Sequence, residues 1–321
     1  MIIITGGAGF IGSALLWQLN QSGYKDILIV DDLKGPNLWK NLRSLSYNNY
    51  MHKDAFLEAI KQDAFEQAIE AVFHMGACSS TTEMDMDYLW SNNVSYSQHV
   101  CLWALKKKAR FIYASSAATY GDGELGFDDS LDMLDQLRPL NPYGYSKHVF
   151  DLWLKSEGLF DKVVGLKFFN VFGPNEWHKD SMRSMVCKGF YEIKKTSKLK
   201  LFKSYKDAYN DGDQVRDFIY VKDCVAAMMW LYQNQNVCGL FNMGSGQTKS
   251  WNDLAEAVFN ALEMPISIDY IEMPDSLRSQ YQYYTKANMS QWRAVCPLVF
   301  MPFREAVFDY VKSHLLNVCY L

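Results

Sequence analysis

Three kinds of feature are scarce in this 321-residue chain. Its 7 cysteines are scattered, odd in number and form no Cys-x-x-Cys pair. That argues against a zinc site or a disulfide framework and suits a reduced compartment with free thiols. No basic block is present, and the formal net charge is only −4. Nucleic acid and anionic membrane surfaces are therefore poor partners. No apolar run reaches the length of a membrane span. The opening Met1-Ile-Ile-Ile-Thr5 is too short and too uncharged for a secretory leader, so a cytoplasmic location is expected. No internal repeat is visible either.

What is present is material for a large core, since 49% of the residues are apolar. Up to about residue 173, short apolar runs alternate with helical stretches. Ile2–Thr5, Ile27–Val30, Ala71–His74, Phe111–Ala114 and Val163–Phe168 read as buried parallel strands. Helices are expected near 11–22, 54–67, 86–107 and 142–158. The fold class this implies is α/β: a Rossmann-type doubly wound parallel sheet with a smaller mixed α/β substrate-binding lobe. The expected division is 1–173 for the dinucleotide-binding part and 174–321 for the lobe, with segments at about 215–245 returning to the first. In the second half, strands are expected at Arg216–Tyr220, Leu240–Met243 and Ile266–Tyr270. Helices are expected near 182–195, 223–233, 251–262 and 303–316. Lys203–Gln214 reads as a surface loop, and Asn317–Leu321 as a fraying end.

Thr5-Gly6-Gly7-Ala8-Gly9-Phe10-Ile11-Gly12 follows the first strand and opens a helix. Glycines there allow a tight turn and let backbone N–H groups approach a pyrophosphate at the helix start. Asp31 ends the second strand, where a carboxylate can accept from the adenosine ribose. It would repel a 2′-phosphate and favour NAD, whereas Lys34, Lys40 and Lys53 could offset that repulsion and admit NADP.

Ser115 and Ser116 end the fifth strand, on the side where ligands of such sheets bind. Tyr143 and Lys147 stand four apart on a helix that Asn141 can cap and Pro142 can begin. An ammonium beside a phenol favours the phenolate, so the tyrosine pKa is expected to fall from about 10 toward neutrality. Ser116, Tyr143 and Lys147 then make a proton-transfer set for a substrate hydroxyl.

With these residues in place, the chain resembles the extended short-chain dehydrogenase/reductase superfamily. That resemblance implies transient oxidation of a sugar carbinol by a bound nicotinamide cofactor. The acidic pair of the 4,6-dehydratases is absent, since Ala118 and Thr119 stand in its place before Tyr120. Five runs are more specific: Gly76–Glu83 (GACSSTTE), Tyr113–Gly121, Asn141–Lys147, Phe169–Pro174 and His178–Met182 (HKDSM). They resemble the ADP-L-glycero-D-manno-heptose 6-epimerases over essentially the whole chain. That family is bacterial and supplies the heptose donor of the lipopolysaccharide inner core. The resemblance implies an isomerase with tightly bound NADP (NAD as the alternative), an ADP-linked heptose substrate and a homo-oligomer, with a pentamer suggested. No metal is implied.

The resemblance also distributes roles. Lys179 becomes a second acid/base group opposite Tyr143. Cofactor contacts fall on Gly6, Gly9, Phe10, Ile11, Gly12, Asp31, Asp32 and Lys53. They continue on Met75, Gly76, Ala77, Cys78, Ser79, Asn92, Lys147, Val171 and Lys179. Substrate contacts fall on Asn170, Ser181, Lys188, Phe202, Lys203, Ser204, Tyr205, Arg216 and Tyr281. Arg216 suits a pyrophosphate, or else an ion pair with Asp213 or Asp217. Tyr281 suits a phosphate or sugar hydroxyl, or else a core shared with Tyr283 and Tyr284. Cys78 reads as packing, since no neighbouring His pairs with it. Two residues depart from the family pattern: Lys188 replaces a histidine and Leu38 a lysine. The competing readings are a UDP-hexose 4-epimerase, a net nucleotide-sugar oxidoreductase and a dinucleotide-sensing protein without activity.

Overall fold

The computed structural model describes residues 1–35, 37–278 and 281–321, without the side chains of 276 and 277. In chain order the strands are β1 (Ile2–Thr5), β2 (Ile27–Asp31), β3 (Asn49–His52), β4 (Ala71–His74), β5 (Arg110–Ser116) and β6 (Val163–Phe168). They continue as β7 (Asn170–Phe172), β8 (Leu199–Phe202), β9 (Val215–Tyr220), β10 (Gly239–Met243), β11 (Thr248–Ser250) and β12 (Ile268–Ile271). Seven of them form one sheet in the order β10-β6-β5-β4-β1-β2-β3. Every pairing in that sheet is parallel. The order reverses between β1 and β4, which opens a crevice beyond the carboxyl ends of those strands.

The continuous apolar runs explain the sheet. Ile3, Ile4, Val72, Phe73, Phe111, Ile112, Val163 and Val164 are fully buried. Covering both faces requires residues of this type throughout a strand, and each contributes about 1.5–3 kcal/mol. The helix Phe10–Gln21 covers one face and packs on Val221–Gln233 from the second half of the chain. Below the crevice lies a polar core. Asp151 accepts from Tyr113 and Ser115, each at 2.7 Å, and pairs with Lys167 at 3.3 Å. Both charges are sealed from water, so losing one partner would cost about 3–5 kcal/mol.

Several expectations shift. The strand β3 went unread because Asn49–His52 is polar and lies on the sheet edge. The helix expected to reach 67 stops at Lys61, and Asp63 turns the chain with φ 53°. The helix expected from 182 begins at Met185, because Ser184 caps it and accepts from Cys187 N. Leu240–Met243 joins the large sheet as β10, whereas β9 pairs with β7 and β11 in a separate three-stranded sheet. The expected strand Ile266–Tyr270 is shifted to Ile268–Ile271 and pairs with β8, itself unread. The chain end does not fray: Leu321 N donates to Asn175 Oδ1 at 3.0 Å. Among the described residues, no helix is long and apolar enough to cross a membrane.

Candidate active site

Beyond β1, β4 and β5 lies a cleft of about 690 Å³. The glycine loop forms its floor. A side chain at Gly12 would bring a Cβ to 2.1 Å from Gly6 O, so only glycine lets the helix start this close to the loop. The helix Phe10–Gln21 has no side-chain cap and no acidic residue in its first turn. Helices beginning at Pro142, Met185 and Trp251 are all capped by side chains. The uncapped start leaves backbone donors for an anion, which fits the pyrophosphate of a dinucleotide.

Asp31 stands beside this floor. Its Oδ2 accepts from Ala8 N at 2.8 Å and its Oδ1 from Asp32 N at 2.7 Å. Burial nonetheless pushes its carboxyl above the usual range. A side cavity of about 250 Å³ continues from here, lined by Asp31, Asp32, Lys34, Lys53, Cys78 and Asn92 among others. Lys53 Nζ donates to Asn92 Oδ1 at 2.6 Å, and Asp32 pairs with Lys34 at 3.1 Å. The shape and the donors fit the adenosine half of the same cofactor.

Ser116 and Tyr143 meet over the carboxyl end of β5. Asn141 Oδ1 accepts from Gly144 N at 2.8 Å and Pro142 opens the helix Pro142–Ser156, as expected. A Cβ on Gly144 would lie 2.7 Å from Ala118 O, so glycine lets this helix close on the turn after Ser116. The Ser116 side chain lines the same cleft as the Tyr143 phenol, its Oγ accepting from Ala118 N at 3.1 Å. Lys147 is buried one turn on, and its Nζ donates to Ala114 O at 2.8 Å.

The expected fall in the Tyr143 pKa is not found. Burial raises it above the ordinary phenol value, and Ser116 offsets only part of that. The physical reason is desolvation. Lys147 is itself pulled down to about 8 by burial, with the Asp151 carboxylate partly restoring it. Its ammonium is turned to a carbonyl, and it is not among the groups acting on the phenol.

The opposite wall carries Lys179, on the turn Trp177–Met182. Its Nζ lies 5.4 Å from the centre of the Phe10 ring. Burial lowers its pKa, and Glu176 works against that. Asn170 and Val171 also line the cleft, as do Met75, Gly76, Ala77 and Ser79. Leu38 lines it too, where a family lysine was expected.

The expected substrate residues divide. Arg216 is buried, with its guanidinium 5.5 Å from the Trp251 ring and 5.2 Å from Tyr281. It forms no ion pair with Asp213 or Asp217. The Asp217 carboxylate is taken by Ser245 N, Ser245 Oγ, Gly246 N and Ala287 N. Tyr281 accepts from Trp251 Nε1 at 2.7 Å, and its ring meets Phe202 edge-on. Of this cluster only Trp251 is among the residues lining the cleft; Arg216, Tyr281 and Phe202 pack behind it. Lys203, Ser204 and Tyr205 are not brought into the cleft. Lys203 pairs with Glu272 at 2.7 Å, and Tyr205 donates to the same carboxylate. Ser204 N donates to Asp211. Ser181 and Lys188 lie exposed together, Lys188 Nζ donating to Ser181 O at 3.3 Å.

Four residues of this region were not anticipated. Asn93 holds the Cys78 loop by both its N–H and its C=O, and also donates to Ser146 on the Tyr143 helix. Asp151 and Glu176 brace the two walls, and Trp251 lines the cleft. Asp151 falls four residues after Lys147, a helical spacing that could have flagged it. No comparable signal marks Trp251. Cys78 is a half-buried free thiol that lines the side cavity. No cluster of three metal-ligating side chains occurs among the described residues.

The glycine loop at the switch point, with Ser116, Tyr143 and Lys147 beside it, fits a nicotinamide-dependent enzyme class, and comparison narrows that class. The model of the NAD dependent epimerase/dehydratase family matches residues 2–244, so the chain belongs to that family. It is 50% identical over 316 residues to the ADP-L-glycero-D-manno-heptose-6-epimerase of Nitratidesulfovibrio vulgaris, covering 98% of each chain. It is 45% identical over 325 residues to the enzyme of the same name from Fusobacterium nucleatum, again with 98% of each covered. The solved Helicobacter pylori ADP-L-glycero-D-manno-heptose-6-epimerase matches with a TM-score of 0.81 at 26% identity, over 97% of this chain and 95% of that one.

Proposed function

We propose that this chain is an isomerase that interconverts ADP-D-glycero-β-D-manno-heptose and its L-glycero epimer at carbon six. One observation carries the reading. Two acid/base groups, the Tyr143 phenol and the buried Lys179 amine, stand on different walls of one cleft in a chain with these relatives. Inverting one carbon requires its hydride to leave from one face and return to the other, so the hydroxyl proton is taken up and given back at two different positions. Tyr143, with Ser116 beside it, serves the hydroxyl of one epimer. Lys179 serves the other, and burial lowers its pKa from the ordinary lysine value, which favours proton exchange there. Lys147 is tied to the carboxyl-terminal part of β5, an interior strand, through Ala114 O. The nicotinamide, when bound, takes up and returns the hydride, so no net redox change results.

Gly6, Gly9, Phe10, Ile11 and Gly12 would hold the pyrophosphate of the cofactor, with Asp31, Asp32, Lys53 and Asn92 at its adenosine end. NADP is the proposed form, because Lys34 and Lys53 both line that cavity. Arg216, buried without a carboxylate partner among the described residues, would clamp the substrate diphosphate beside Tyr281 and Asn170. Residues 1–173 would supply most of the cofactor site, and later segments most of the substrate site. Such an activity fits supply of heptose for lipopolysaccharide.

The test is incubation of the purified protein with ADP-D-glycero-β-D-manno-heptose, read by NMR of the sugar. Appearance of the L-glycero epimer without sustained change in nicotinamide absorbance is expected. No conversion would overturn the reading, and epimerisation of a UDP-hexose instead would point to the 4-epimerase alternative. Native mass spectrometry of the same sample identifies the retained cofactor and tests the proposed pentamer.

A further inference from the structure

We infer that the C-terminal segment Tyr310–Leu321 is a strap that positions Lys179, an inference that rests on the role given to Lys179 above. Three successive residues at the base of the Lys179 turn are each held by this segment. Leu321 donates its N–H to Asn175 Oδ1 at 3.0 Å. Tyr310 donates its hydroxyl to Glu176 Oε1 at 3.0 Å. Tyr320 packs on Trp177 with ring centres 4.4 Å apart, and the Arg43 guanidinium lies 4.9 Å from the centre of the Tyr320 ring.

The turn needs such support. Lys179 N is bonded to Glu176 O at 3.0 Å, so the lysine rides directly on the strapped residues. The next residue, Asp180, has φ 44° and ψ −113°, a strained backbone for a non-glycine residue. A backbone of that kind persists only where its surroundings hold it. Glu176 provides part of the hold, since its carboxylate also accepts from Ser184 Oγ at 2.7 Å at the far end of the turn. Asn175 adds the other anchor, donating to Ser13 Oγ at 3.0 Å on the glycine-loop helix. The strap thus ties the lysine wall to the cofactor floor without entering the cleft.

Tyr320 offers the cleanest test, because its contact is made by the ring. In Tyr320→Ala, kcat for epimerisation should fall about tenfold, as expected when a reacting group is displaced slightly by a change far from the chemistry. KM and the amount of cofactor retained should stay within about twofold. Tyr320→Phe should restore wild-type turnover. Arg43→Ala should lower kcat about two- to threefold and provides the reading if Tyr320→Ala does not fold. Unchanged kcat in Tyr320→Ala, or in Arg43→Ala should the first variant not fold, would overturn the strap. So would a Tyr320→Phe as impaired as Tyr320→Ala, or a loss of turnover matched by loss of cofactor. Lys179→Ala separates the two ideas. If it is inactive while Tyr320→Ala is normal, the strap alone is wrong. If it is fully active, the role of Lys179 fails and the strap with it.

Discussion

The two walls of the cleft are built in opposite ways. The Tyr143 wall is a regular helix, Pro142–Ser156, begun by its own Asn-Pro cap and closed by a glycine on the turn that follows β5. Its reactive residues lie within five positions of one another. The Lys179 wall is a kinked turn between β7 and the helix Met185–Thr196. It is held by Ser13, Asn41, Tyr310, Tyr320 and Leu321, from both ends of the chain. Local geometry suffices where periodic structure spaces the groups. Where the backbone is irregular, distant contacts must do the spacing.

The comparison can be broken most sharply at Tyr143. Tyr143→Phe should lower kcat by about 10²–10⁴-fold with the fold intact, measured as epimer formed per enzyme. A variant that retained activity would remove the phenol from the chemistry. Lys179→Ala should lose about 10²-fold in both directions, at the lower end of the range for a positioned acid/base group. Wild-type turnover in that variant would make this wall a passive one. Each variant should keep its cofactor, so that the two walls differ in proton transfer and not in binding.

Acid sharpens the contrast with a smaller effect. His74, behind the Tyr143 wall, is held down to about 3 by burial, and His178, beside Lys179, to about 4. The ordinary histidine value is 6.5. Between those values the unfolded chain binds protons that the folded chain refuses, so stability is lost as pH falls from 6.5 toward 4. The slope is about 1.4 kcal/mol per pH unit for each histidine. Denaturant midpoints taken across that range should fall steadily, and His74→Gln should flatten the slope if it folds. A midpoint independent of pH would show that neither histidine is buried as described.

Reading order explains which parts were legible. The apolar runs announced five of the six large-sheet strands that precede β10, and the Gly-rich loop announced the cofactor floor. Tyr143 and Lys147 were legible because a helix repeats every 3.6 residues and places them on one face. Their electrostatics were not, because spacing carries no information about burial. Desolvation raises the Tyr143 pKa, and Lys147 faces Ala114 O. Arg216 was legible as a cation but not as one without a carboxylate partner. That depended on Ser245, Gly246 and Ala287 occupying Asp217.

By itself, the sequence determined the elements whose causes are local. These are the buried strands, the capped helix of Tyr143 and the glycine turn. Only the tertiary structure decided what those groups face. It placed Lys203 and Tyr205 on Glu272 and outside the cleft, and folded the chain end onto the Lys179 turn. The physical reason is that hydrogen bonds, desolvation and ring packing act over a few ångströms in space, between residues up to 162 positions apart along the chain.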